Sequence, residues 1–223
     1  SPRQANRIAA ALGDVARLVE PARCGTARPP QMNPRAWSEL VGAALGRRVA
    51  RELATLSKLG WAPLHREDPD YPPMLRDLRS PPPFLALRGD PSSLRRPTVS
   101  LVGTRRPTRY GLNMARRLSA DLARRGVTIV SGLARGIDAA AHRSALEVGG
   151  RTVAVMGTGP DLIYPKQHLQ LAEEIASSGA LLTELPPGSP PRRQHFPMRN
   201  RIVSGLSAAV VVVEGATRSG SLV

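Results

Sequence analysis

Short apolar runs at 99–102, 127–130, 153–156, 180–182 and 209–213 constrain this chain more than any other feature. Each is too brief and too uniformly apolar for a half-exposed strand or an amphipathic helix. Each is followed by a small-residue turn and then by a helical stretch, expected at about 110–125, 138–148, 166–178 and 199–206. Continuous apolar strands alternating with helices build a parallel sheet covered on both faces. With right-handed crossovers the result is a doubly wound, Rossmann-like α/β domain over 98–223.

In such a sheet a ligand lies beyond the carboxyl ends of the strands. Read in order, those ends are Gly103-Thr104-Arg105, Ser131-Gly132-Leu133-Ala134-Arg135-Gly136, Gly157-Thr158-Gly159, Glu184 and Glu214. The first three are rich in glycine, and two carry an arginine. The stretch VSGLARGIDAAAH, 130–142, joins a strand to a helix through a glycine-bounded loop. Loop amides and the free N–H groups of the helix start converge on one spot and favour an anion. Gly132 and Gly136 are expected to give the turn and the close approach, with Arg135 adding charge.

Several chemistries are excluded by what is missing. No G-x-G-x-x-G follows the first strand, and the second ends in Ser131 rather than in an acid for a ribose hydroxyl. Neither a G-x-x-x-x-G-K-[ST] loop nor a G-x-S-x-G elbow occurs. Asp138 and His142 stand four apart and suit either acid–base work or a helical contact that orders the loop. The second is favoured, since no nucleophile adjoins them. His65, His168 and His195 lack ligand spacing, so neither metal nor cofactor is expected.

The segment PPRRQHFPMRNR, 190–201, surrounds Phe196 with Arg192, Arg193, His195, Arg199 and Arg201. Arginine forks bind phosphates and a phenyl ring stacks on bases; a solvated basic loop with Phe196 in the core is the alternative. A formal net charge of +15 supports a polyanionic partner, although nearly all of it is arginine. Aromatic residues make up only 3%, which excludes a surface of many stacked bases but leaves room for one or two. Arg116, Arg117, Arg124 and Arg125 line the polar face of the first crossover helix, a solvated face or a secondary electrostatic track.

Before the α/β domain, helical spacing at 5–19, from Pro34 and at 47–59 suggests a small helical module over 1–60. Residues 61–97 are proline-rich and are expected to form a connector with an edge strand at 84–87. No run of apolar residues is long enough for a transmembrane helix, no signal peptide is visible at the start, and Cys24 has no partner for an internal disulfide. A cytoplasmic protein is the expectation.

The strings GTRRPTRYG (103–111), SGLARGIDAAAH (131–142), GRTVAVMGTGPDLIYPK (150–166), FPMRNRIVSGLS (196–207) and VVEGATRSGSL (212–222) resemble the DprA/Smf family, in order and from about Tyr71 onward. The resemblance implies an extended Rossmann domain behind a small all-α, SAM-like module. It implies a protein that is not an enzyme, that binds single-stranded DNA in natural transformation, shields it and loads RecA recombinase onto it. It places DNA contacts at Arg105 and Lys166 and at Phe196, Arg199, Asn200 and Arg201. The loop residues Gly103, Ser131, Gly132, Arg135, Gly136, Gly157 and Gly159 would line the same pocket. Lys166 is one of two lysines, with Lys58, in an arginine-dominated chain. Family members continue past the SGSL segment, so a C-terminal part of the sheet is expected to be missing. Homodimer formation and RecA contact are associated with that part. The other function classes are a phosphoribohydrolase-like nucleotide enzyme, whose PGG-x-GT-x-x-E loop has no match here, and a protein-interaction scaffold.

Overall fold

The computed structural model describes residues 43–215. The helices expected at 5–19 and from Pro34 lie outside the described residues. The third is α1, Ala43–Lys58. It stops at Gly60, whose φ of +73° suits glycine, and the Trp61 N–H returns to the Leu56 carbonyl with both side chains buried.

The sheet has seven strands: β1 Ala62–His65, β2 Phe84–Gly89, β3 Thr98–Gly103, β4 Thr128–Ser131, β5 Thr152–Val155, β6 Ala180–Thr183 and β7 Ala209–Glu214, in the order β1-β2-β6-β5-β4-β3-β7. From β6 to β7 every pairing is parallel; β1 and β2 add antiparallel. The fold is therefore mixed α/β with a mostly parallel sheet, as the apolar runs require. The proline-rich stretch is more than a connector, because it supplies two strands. The piece expected at the edge, β2, lies one position inside, since Ala62–His65 pairs along it. Pro63 lacks an N–H and is tolerated in β1 at the true edge.

The helices are α2 Pro73–Arg76, α3 Arg109–Arg124, α4 Ile137–Glu147, α5 Leu169–Ser178 and α6 His195–Gly205. The chain winds from β3 through β4 and β5 to β6, then crosses back to place β7 on the far side of β3. Right-handed crossovers put α3, α4 and α5 on one face during the outward run and α6 on the other during the return. The strands β4, β5 and β6 are buried along their whole length. Val130, Val153, Val155 and Leu182 pack with Ile202 and Val203 of α6, while Ala154, Met156 and Leu181 pack with Leu171 and Ile175 of α5. Each such Leu or Ile contributes ~1.5–3 kcal/mol by leaving water. The reversal of strand order falls between β3 and β7, so the crevice opens there. Among the described residues no helix is long and apolar enough to cross a membrane.

Candidate nucleic-acid interface

The glycine loops meet as the topology demands, but each glycine answers to a different neighbour. Gly103 ends β3; a Cβ there would lie 2.7 Å from Ile137 and 2.8 Å from the Glu214 carbonyl. Thr104 N–H donates to the Glu214 carbonyl at 2.7 Å, and the Ile137 N–H donates to the Thr104 carbonyl at 3.2 Å. Gly136, at φ +80°, seats against Thr104, Arg105 and Pro107. The loops after β3, β4 and β7 are thus joined. Glu214 completes the joint from the side. Its carboxylate accepts from the Thr108 N–H at 3.0 Å and the Thr108 hydroxyl at 2.9 Å, and Thr108 in turn caps α3 through the Gly111 N–H.

The expected phosphate cradle is already filled. The Asp138 carboxylate accepts from the Gly132 N–H at 3.1 Å and the Ala134 N–H at 3.3 Å. The Gly132 and Ala134 amides are thus engaged by a side chain of the protein itself. The positive φ of the turn sits at Leu133, +59°, and at Gly136; at Gly132 the need for glycine is different, because the Arg199 guanidinium occupies the space of a Cβ. Ser131 is buried beneath the loop and donates to the Leu101 carbonyl.

Arg199 is placed by the start of α6. The segment 195–201 is not a loop but the first turns of α6, where the missing N–H of Pro197 costs nothing. That helix turns Arg199 inward: it is 5% exposed, donates to the Val155 carbonyl and lies beside Asp138. Burial lowers its pKa to about 10, opposed by Asp138 and reinforced by Arg105. Burial likewise pushes the Asp138 carboxyl up, opposed by Arg199 and the loop amides. In this structure the guanidinium is held inside the protein by the Val155 carbonyl and by the nearby Asp138 carboxyl. Arg201 is paired with Glu184, and Asn200 is half-buried on the same helix.

His142 makes no pair with Asp138. Its Nδ1 lies 2.6 Å from the Thr152 hydroxyl, and burial with the neighbouring His168 and Arg199 charges lowers its pKa to about 3. Neither residue is placed to exchange a proton with a ligand. His168 instead joins two loops, with Nδ1 2.9 Å from the Leu133 carbonyl.

What stands open at the rim is smaller than the expected list. The Arg105 guanidinium carbon lies 5.3 Å from the centroid of the Phe196 ring, a cation–π contact worth ~0.5–1 kcal/mol at an exposed site. Phe196 leans on Gly157, where a Cβ would be 2.8 Å from its Cδ1, and its centroid is 5.8 Å from that of Tyr164. Lys166, two residues past Tyr164, is exposed, and so is Arg135. Gly159 faces away, against Pro186 and Ser189. Tyr164 was not legible as a site residue, although an aromatic in a chain with so few, placed in a loop after a central strand, is a signal. At 43% exposed it offers ring surface beside Phe196.

The model of the DNA recombination-mediator protein A family matches residues 63–223. The chain belongs to that family. Protein Smf of Synechocystis sp. is 53% identical over 70% of this chain and 40% of its own length. DprA of Bacillus subtilis is 41% identical over 79% of this chain and 60% of its own. The chain spans about half the length of the curated relatives it matches. Among solved structures, DprA of Streptococcus pneumoniae superposes with a TM-score of 0.72 at 36% identity, over 86% of this chain and 70% of that one. DNA processing protein A of Helicobacter pylori superposes with a TM-score of 0.67 at 34% identity, over 73% of each; its study concerns a single-stranded DNA binding mode. The family match spans β2 to β7 and the loops between them. It accounts for the DprA/Smf motifs read from the sequence.

Proposed function

We propose that this chain is the single-stranded-DNA-binding part of a recombination mediator. In the whole protein it shields incoming DNA in natural transformation and loads RecA onto it, as a homodimer and without catalysing a reaction. The observation that carries the reading is the contact of Arg105 with the Phe196 ring and of that ring with Tyr164, with exposed Lys166 two residues further along the chain. An exposed cation over one of two tilted rings matches a strand that presents phosphates and unpaired bases together. Family membership and the Helicobacter pylori relative support the substrate class. Asp138 is engaged by the loop amides and His142 by Thr152, so these two do not form an acid–base pair with one another. Arg105 and Lys166 contact phosphates, and Phe196 stacks on a base.

Arg105→Ala and Lys166→Ala are each expected to weaken oligothymidylate binding at low salt. Each should make the logarithmic salt dependence shallower by roughly 0.7 per lost phosphate contact. Unchanged affinity in both variants would remove the crevice as the binding site, and equal affinity for duplex would remove the single-strand assignment. Nuclease protection of bound oligonucleotide and RecA filament assembly on it test the wider role.

A further inference from the structure

The basic charge of this molecule is not evenly spread. On the face covered by α3, α4 and α5, helix α3 exposes Arg109, Arg116, Arg117 and Arg124 with one acid, Asp121. Helix α5 carries no cation, and its exposed acids are Glu173 and Glu174. Glu173 is bound by Arg88 through two hydrogen bonds of 2.8 and 2.6 Å. Helix α4, between α3 and α5, carries one exposed arginine and one exposed acid, Arg143 and Glu147, so the positive charge on this face rises toward α3.

At 100° per residue the α3 arginines fall in one stripe with Tyr110 and Asn113. The opposite stripe, Gly111, Ala115, Ser119 and Ala123, is buried. Asp121 lies 3.1 Å from Arg124 and 3.9 Å from Arg117 and so offsets one charge. Among the described residues Arg109 and Arg116 form no ion pair. Tyr110 is 74% exposed, more than any other large hydrophobic side chain among the described residues. A tyrosine so bare, among arginines, offers ring surface to an unpaired base. The stripe starts where Arg105 and Arg106 leave the crevice and runs the length of α3, about 24 Å.

We propose that the outer face of α3 is a second nucleic-acid track. It takes the phosphate backbone of the same single strand as it leaves the crevice, with Tyr110 stacking a base at the junction. The inference rests on the proposed single-strand binding at Arg105 and Lys166, and it fixes the direction in which a longer strand continues.

The test uses the full chain carrying Arg116→Gln, Arg117→Gln and Arg124→Gln together. Glutamine keeps helix propensity, and a melting curve confirms the fold. Binding is measured to oligothymidylates of ~6 and ~20 nucleotides, lengths that bracket common single-strand sites. The longer oligonucleotide should bind about tenfold more weakly, with a salt slope shallower by about 2, and the shorter one unchanged. Tyr110→Leu should weaken only the longer complex and Tyr110→Phe should restore it. Unaltered binding of the longer oligonucleotide, while Arg105→Ala weakens both lengths, would overturn the track and leave the crevice standing. Weakening of both lengths by the triple variant would also overturn it, as would a loss confined to duplex. If Arg105→Ala changes neither length, the crevice reading fails instead.

Discussion

Asp138 and Arg199 are both nearly inaccessible, and the charge of each offsets part of the other's burial. Removing one member of a buried charge pair strands its partner, at a cost of ~3–5 kcal/mol. Asp138→Asn is therefore expected to lower unfolding free energy by about 3 kcal/mol in urea titration. Arg199→Met in the same chain should recover part of it, because the stranded charge is gone. Additive losses in the double variant would show that the two do not act as a pair. His142 gives a pH dependence whose sign is fixed. Its folded pKa of about 3 lies below the ordinary 6.5, so the unfolded chain takes up the proton first as pH falls. The contribution of neutral, buried His142 is present above pH ~6.5 and is lost toward pH ~3, at up to ~1.4 kcal/mol per unit. His142→Gln should flatten that acid limb of a stability–pH curve; an unchanged limb would assign it to other groups.

Among the elements, the parallel strands were the most legible. Buried on both faces, they need an apolar side chain on nearly every residue, and a run such as TVAV at 152–155 has few other uses. The beginning of α6 was less legible. A proline at 197 reads as a break, yet three residues into a helix its missing N–H has no partner to lose. That shift of boundary is what points Arg199 into the core. The position of β2 inside the sheet was not legible either, because pairing across β1 and β6 is a long-range fact with no local signature. Glu214 belongs to the same class. Its backbone closes β7 onto β3 while its side chain holds Thr108 at the start of α3. Glu214→Ala should cost roughly 1–2 kcal/mol, the range for loss of a helix cap. Thr108→Ala should cost a similar amount, and the two losses should be less than additive. Independent, fully additive effects by chemical denaturation would separate the cap from the strand end.

At the scale of the whole molecule, charge is the property that composition described least well. A net +15 says that polyanions are attracted, but not where. The structure sorts the arginines into classes by what they face. Arg199 is internal, Arg88, Arg151 and Arg201 are bound to Glu173, Asp90 and Glu184, and the α3 and crevice arginines look outward. Arg105, Arg106 and the α3 arginines run from one end of the sheet down one helix, which gives an approaching strand a route there. The filled cradle has a consequence for selectivity in a crowded cell. A loop whose amides are engaged by a tethered carboxylate is expected to hold free phosphate and mononucleotides weakly. Millimolar phosphate or thymidine monophosphate should then leave bound oligothymidylate in place beyond the effect of ionic strength, and efficient displacement would overturn this.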